Sequence, residues 1–251
     1  MAERAAHLTA FAPVAAATAI TDALAAAGRP ERAEAERAYL KSDLEHLGTS
    51  VPDMRAIVKR FLRARPDLAH DDLVALVGEL WSASIHERRM ASVELLVARP
   101  KLLDARDLPT VEVLLRDSRT WALVDTLAGH VVGRIVAADP EALAVLDRWV
   151  GDDDFWIRRA AVLALLVPLR DGREEDRFFR YADRLLAERE FFIRKALGWV
   201  SRELGKRRPE LVSDWLRRNL DRMNHVTLRE AVKYLPDGDQ IVSLWRRNKV
   251  G

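Results

Sequence analysis

The sequence predicts an all-α protein, a right-handed α-solenoid of stacked helical repeats forming one domain over residues 1–251. Three observations predict it. Almost every segment between Pro or Gly breaks carries apolar residues at helical spacing, and none sustains the alternation of a strand. The starts of these segments, such as "DARDLPT", "ADPEALA" and "RRPELV", place carboxylates or Pro in a first helical turn, where dipole and backbone both favour them. One pattern then recurs along the chain at a nearly constant period.

The elements follow in order. "MAERAAHLTAFAPVAAATAITDALAAAG" reads as an amphipathic helical extension over residues 1–25. Glu3, Thr9, Pro13 and Asp22 interrupt it, so it has neither the basic start and apolar run of a signal peptide nor the length of a membrane span. Helical segments "LVALVGELW", "RRMASVELLVAR", "TVEVLLRD", "WALVDTLAGHVVGRIV", "EALAVLDRWV" and "WIRRAAVLALLVPL" come next. "DDDFWIRRAAVLAL" (152–165) and "EREFFIRKALGWV" (188–200) share an acidic start, an aromatic pair, Ile, two basic residues and Ala. "SIHERRMASVELL" (84–96) and "HVTLREAVKYL" (225–235) are more distant copies. Aligned with "RTWALVDTLAG", they bring Arg89, Asp125, Arg159, Lys195 and Glu230 into equivalent places, separated by 36, 34, 36 and 35 residues. A two-helix repeat of that size is of the HEAT or TPR kind; the fixed aromatic pattern of TPR is missing, so HEAT-like is expected, with a concave surface lined by one helix of each repeat. The tail at 237–251 carries Trp245, Arg246 and Arg247, which suit either helix packing or an added contact.

Composition bounds the function. The 251 residues are 49% hydrophobic and 32% charged, enough for a large core. With no Cys, disulfides and thiolate metal sites are excluded, and a reducing bacterial cytoplasm is expected. The six His show no metalloenzyme spacing, so no metal and no cofactor are expected. Residues 1–150 hold 19 basic against 22 acidic side chains, whereas residues 151–251 hold 22 against 17. That local basic excess is the footprint of a polyanion partner or of a solvated face.

The candidate residues lie in the basic half and at its border. In "EFFIRKALGWVSREL", Ile193, Ala196, Leu197, Val200 and Leu204 form a buried stripe, and Trp199 lies off it between Lys195 and Arg202, with Phe192 a further turn back. Aromatics interleaved with cations suit stacking and phosphate contact; the competing reading makes Trp199 a seal between repeats. Trp121 stands one turn before Asp125, a carboxylate inside an apolar helix. Asp125 is either a functional group or the partner of an arginine in the next repeat, where Arg159 is equivalent. Gly129 and Gly133 continue the same line and imply close approach, by a ligand or by a neighbouring helix. Arg158 and Arg159 diverge around their helix, so one can fork a phosphate while the other reaches solvent or pairs with the preceding aspartates.

Over roughly residues 30–236, through "AYLKSDLEHLGTSVPDMR", "ELWSASIHERRMASVELL", "TWALVD", "WIRRAA", "IRKALGWV" and "LREAVKYL", the chain resembles DNA alkylation-repair glycosylases of the AlkD type. The resemblance implies excision of cationic N3- or N7-alkylated purines from duplex DNA without a deep base-flipping pocket; a solenoid with its own end caps is expected to be a monomer, and no membrane partner is expected. The same resemblance implies Asp125, Trp121 and Trp199 as the catalytic surface and Arg159 on a flanking phosphate. Arg158, Arg194, Lys195, Arg202, Tyr39 and Lys41 are further expected DNA contacts. Thr120 and Ala122 depart from the aromatic and acidic residues that often flank this tryptophan in the family. The alternatives are a non-catalytic HEAT module for damaged or branched DNA and a protein-interaction solenoid.

Overall fold

A computed structural model describes residues 11–250 of the chain, so the first ten residues of the expected N-terminal extension lie outside it. The described residues form helices and short turns, with one isolated β-bridge, Glu45 with Ile85, and no strand. The fold is the expected all-α helical-repeat fold. By contacts the chain divides into two compact units, Met1–Leu102 and Leu103–Gly251.

The first unit holds α1 (Pro13–Ala27), α2 (Pro30–Leu40), α3 (Val51–Arg63), α4 (His70–Trp81) and α5 (His86–Ala98). Ile20, Leu24, Met54, Leu76, Leu80 and Leu95 meet in its core. Ser50 caps α3 by accepting a hydrogen bond from the Asp53 amide (3.3 Å), which satisfies one orphan donor of the first turn. Gly48 joins α2 to α3 at φ +79°, where a Cβ would stand 2.1 Å from the Arg29 carbonyl oxygen. No other residue fits that position.

In the second unit, α6 (Leu108–Asp117) precedes a continuous helix Trp121–Ala138, made of α7 (Trp121–Thr126), a π-helical turn (Leu127–Val132) and α8 (Gly133–Ala138). That helix is long and apolar enough to cross a membrane by composition, and half of it is buried within the fold. Next come α9 (Leu143–Trp149), α10 (Phe155–Ala164), α11 (Leu166–Arg170), α12 (Glu175–Leu185), α13 (Phe191–Gly205), α14 (Pro209–Arg218), α15 (His225–Ala231) and α16 (Gly238–Val250). The acidic starts are helix caps: Asp154 accepts from the Trp156 amide at 2.8 Å and Glu190 from the Phe192 amide at 3.3 Å. The aromatic pairs behind them cement the repeats, with Phe155 stacked on Phe192 at 6.2 Å and Trp156 tilted against it at 4.9 Å. Along the unit, α10 packs on α7, α13 on α10 and α15 on α13. The tail resolves in favour of packing: the Trp245 indole N–H donates to the Met223 carbonyl (2.9 Å) and its ring lies against His225.

An ion network ties α6 to α9 and to the loop before α10. Glu112 accepts from Arg116 (2.6 Å), Arg148 (2.5 Å) and the Trp149 indole (2.8 Å), while Arg116 also forks Asp152 (2.9 and 2.6 Å). Arg148, with Arg116 and Trp149, draws the Glu112 carboxyl down to about 2, and Arg116 does the same for Asp152. Both groups have pKa values below those of the unfolded chain. Their contribution is therefore complete above the ordinary carboxylate range and is lost as pH falls through it toward 2. With solvent screening it amounts to about 1–2 kcal/mol. Urea unfolding at pH 6 and pH 3 checks this: Glu112→Gln is expected to be less stable than wild type at pH 6, with the difference reduced to less than half at pH 3.

Candidate active site

Asp125 projects from α7 into the contact with α10, where Arg159 meets it side-on. Arg159 Nε donates to Asp125 Oδ1 at 2.7 Å and Nη2 to Oδ2 at 2.8 Å. Nη1 donates to the Phe192 carbonyl of α13, and the guanidinium lies 5.8 Å from the Phe192 ring centre. The Arg159 side chain is only 4% exposed, whereas Asp125 keeps 15%. All three guanidinium nitrogens are thus committed inside the protein. The phosphate fork expected for Arg159 gives way to a fork on Asp125, because the repeat spacing stacks the two residues on adjacent helices.

This pairing holds the carboxylate without sealing it. Each carboxylate oxygen accepts one N–H from Arg159 and retains a second lone pair. Burial lifts the Asp125 pKa above the ordinary range, against the pull of Arg159. One turn along the same helix, a Cβ added at Gly129 would meet nothing within 4 Å, whereas one at Gly133 would stand 2.9 Å from the Ala164 carbonyl. The two glycines therefore part ways: Gly133 admits a neighbouring helix, and Gly129 leaves open space. Gly129→Ala is accordingly expected to raise stability by about 0.5–1 kcal/mol through helix propensity alone, read from the urea midpoint.

Trp121, at the first position of α7, and Trp199, in α13, are both partly exposed. The predicted stripe of Ile193, Ala196, Leu197, Val200 and Leu204 is buried, as the periodicity requires. The seam between α13 and α15 closes at Gly198, where a Cβ would lie 2.6 Å from Glu230 Cβ and 2.9 Å from the Thr227 carbonyl. Trp199 is rotated about 100° from that contact and is partly exposed. Beside it, Lys195 and Arg202 share Glu230, at 2.5 and 2.6 Å, and together they hold its pKa below the usual range. Arg202 also pairs with Glu203 (3.4 Å), which Lys206 shares (2.8 Å), so three cations meet two carboxylates and one net positive charge remains; the Lys195 side chain is 43% exposed.

Arg158 and Arg194 act as loop clamps. Arg158 donates to the carbonyls of Asp152 (2.6 Å) and Asp153 (2.9 Å) and pairs with Glu188 at 2.9 Å, and Arg194 donates to the Glu188 carbonyl (2.7 Å). Arg89 makes the same bond, six residues back, to Ala83 (3.3 Å). Arg89 thus belongs with Arg158 and Arg194, one residue out of the register that aligned it with Arg159. Tyr39 and Lys41 lie in the first unit, Tyr39 72% exposed near the end of α2 and Lys41 in left-handed conformation as its C-cap. Thr120 caps α7, accepting from the Ala122 amide at 3.4 Å.

An all-α repeat protein with a carboxylate gripped by arginine between successive repeats, and with two partly exposed tryptophans on its helices, defines the class. The chain belongs to the DNA alkylation repair enzyme family, whose model matches residues 20–235. Its fold is similar to that of a predicted DNA alkylation repair enzyme from Enterococcus faecalis, with a TM-score of 0.76 at 22% identity over 83% of this chain and 97% of that one. AlkD2 from Streptococcus mutans is similar with a TM-score of 0.58 at 18% identity, over 81% of this chain and 99% of that one. The smu.31 protein from Streptococcus mutans UA159 is similar with a TM-score of 0.55 at 20% identity, over 72% and 99%. A search of curated proteins finds no match.

Proposed function

We propose that the protein is a DNA glycosylase that hydrolyses the N-glycosidic bond of cationic N3- or N7-alkylated purines in duplex DNA, acting as a bacterial cytoplasmic monomer. The observation that carries this reading is Asp125, a carboxylate buried enough to act strongly, oriented by Arg159, and still open to solvent beside the space at Gly129. An alkylated purine bears positive charge, so breaking the C1′–N bond returns the bond's electron pair to the base and leaves positive charge on the sugar. A fixed anion in a partly desolvated site stabilises that developing charge without reorganising. Asp125 also orients the water that adds to C1′. Trp121 and Trp199 offer π faces to the cationic base or sugar. Lys195 and Arg202, with Tyr39 and Lys41 of the first unit, are the proposed backbone contacts, since phosphate contacts position the duplex. Arg159 acts through Asp125 as a positioning residue.

Incubation with methylated duplex DNA, followed by mass spectrometry of released bases, tests the proposal. Free 7-methylguanine or 3-methyladenine is the expected product. Salt-sensitive DNA binding with no released base from any alkylated substrate would favour the non-catalytic module instead.

A further inference from the structure

The first unit carries a second cluster of ligating groups, unrelated to the repair reading. After α2, the chain returns along the start of α5, tied by hydrogen bonds from the Glu45 amide to the Ser84 carbonyl (2.8 Å) and from the His86 amide to the Glu45 carbonyl (2.9 Å). The Glu87 carboxylate secures the next three residues, accepting from the amides of Leu47 (2.9 Å), Gly48 (2.6 Å) and Thr49 (3.2 Å). His46 is thereby set among Glu36 of α2 and Glu87 and His86 of α5. The ligand atoms of Glu36, His46 and Glu87 all lie within 4.8 Å of one another.

These groups have unspent bonding capacity. The His46 side chain is 1% exposed, and neither of its ring nitrogens has a hydrogen-bond partner. Glu36 Oε2, also buried and without one, lies 4.0 Å from His46 Nδ1, too far for a hydrogen bond. Buried imidazoles and carboxylates ordinarily satisfy such atoms, and leaving them bare is costly. A cation bound at about 2.0–2.2 Å by nitrogen and oxygen needs its donors roughly 3–3.5 Å apart, within reach of small side-chain rotations here. The His86 ring stacks on His46 at 4.6 Å and 10°, so its in-plane lone pairs run parallel to those of His46 instead of converging with them. His86 is a wall that fixes the ring, not a ligand. Glu87 Oε2 accepts a single amide and keeps a lone pair for the ion. A surface cleft of about 420 Å³, lined by Arg37, Asp43, Glu45 and His46 among others, adjoins the loop that carries His46.

We propose that Glu36, His46 and Glu87 form a divalent transition-metal site of the zinc class, which pins α2 to α5 through the loop between them. One imidazole with two carboxylates suits zinc or a comparable borderline ion better than calcium or magnesium, which take oxygen ligands only. Three protein ligands leave at least one position for water. The expectation of a metal-free protein drawn from the His spacing rests on motifs local in sequence, whereas these ligands come from positions up to 51 residues apart, 36 to 87.

The full chain, stripped with a chelator, is titrated with Zn²⁺ against a chromophoric competitor and separately with Co²⁺ while its visible absorption is recorded. Wild type is expected to bind one equivalent, to develop a cobalt d–d band and to gain several degrees in Tm with zinc. Glu36→Gln and His46→Gln are each expected to weaken binding about 100-fold and to lose the Tm gain, while Glu36→Asp keeps part of both. Far-UV circular dichroism reports folding, and if His46→Gln fails to fold, Glu36→Gln carries the test. Absence of stoichiometric binding, or equal binding by wild type and Glu36→Gln, would overturn the site.

Discussion

Asp125→Asn is expected to lower release of alkylated purine by about 10²–10³-fold while duplex binding in a gel shift changes little, because one preorganised electrostatic group of this kind is worth that much. The substitution nearly preserves shape and keeps one acceptor oxygen toward Arg159, so the loss isolates the negative charge. The pH profile gives a second readout. The carboxylate acts only when ionised, and burial holds its pKa above the ordinary range. Activity is therefore expected to fall on acidification at a higher pH than an ordinary aspartate would give, and to be recovered as pH rises through that raised pKa. Equal base release by wild type and Asp125→Asn would remove Asp125 from the chemistry. Wild-type release that does not vary with pH above the ordinary carboxylate range would remove the raised pKa from the mechanism.

Arg159→Ala is expected to be the most destabilising of the substitutions considered, at about 3–5 kcal/mol. It strips a mostly buried carboxylate of both its donors, removes the side-chain donor to the Phe192 carbonyl and cuts the link that joins α7, α10 and α13. Urea unfolding measures the loss. Asp125→Asn in the Arg159→Ala background is expected to recover part of it, since the uncompensated charge is then gone, and a double-mutant cycle gives the coupling. Arg159→Lys keeps the charge and loses the fork, so it is expected to fall between wild type and Arg159→Ala in stability, with base release reduced more than DNA affinity. A double mutant no more stable than Arg159→Ala would show that the cost lies in packing and not in the unpaired charge.

The roles of the two residues are separable on these measurements. A group that only holds another should alter the pH dependence of release, because Asp125 without its fork titrates at still higher pH. A group that contacts phosphate should instead change the salt dependence of binding. Lys195, 43% exposed beside Trp199, is a candidate for the second behaviour, and Arg159, with its nitrogens turned inward, for the first.

Much of the architecture was legible because helix formation and repeat stacking are written in short spacings. Apolar residues three and four apart, acidic caps before aromatic pairs, and a period near 35 residues sufficed for the helices, their starts and the buried stripe of α13. The pairing of Asp125 with the equivalent arginine of the next repeat was likewise one of two readings open from the alignment. What a linear pattern could not choose was the direction in which a side chain spends its bonds. Arg158 and Arg159 are adjacent in sequence, yet one clamps a loop and the other grips a carboxylate, because a helix turns them about 100° apart toward different neighbours. Gly129 and Gly133 look alike in sequence, and only the packing of α11 and the end of α10 against the helix separates the open position from the filled one. The cluster of Glu36, His46 and Glu87 had no sequence signal at all, since its members come from two helices and the chain between them. Sequence alone determined what is periodic and local; the tertiary structure decided which polar groups meet, because hydrogen bonds and ligand sites depend on distances of a few ångströms between segments far apart in the chain.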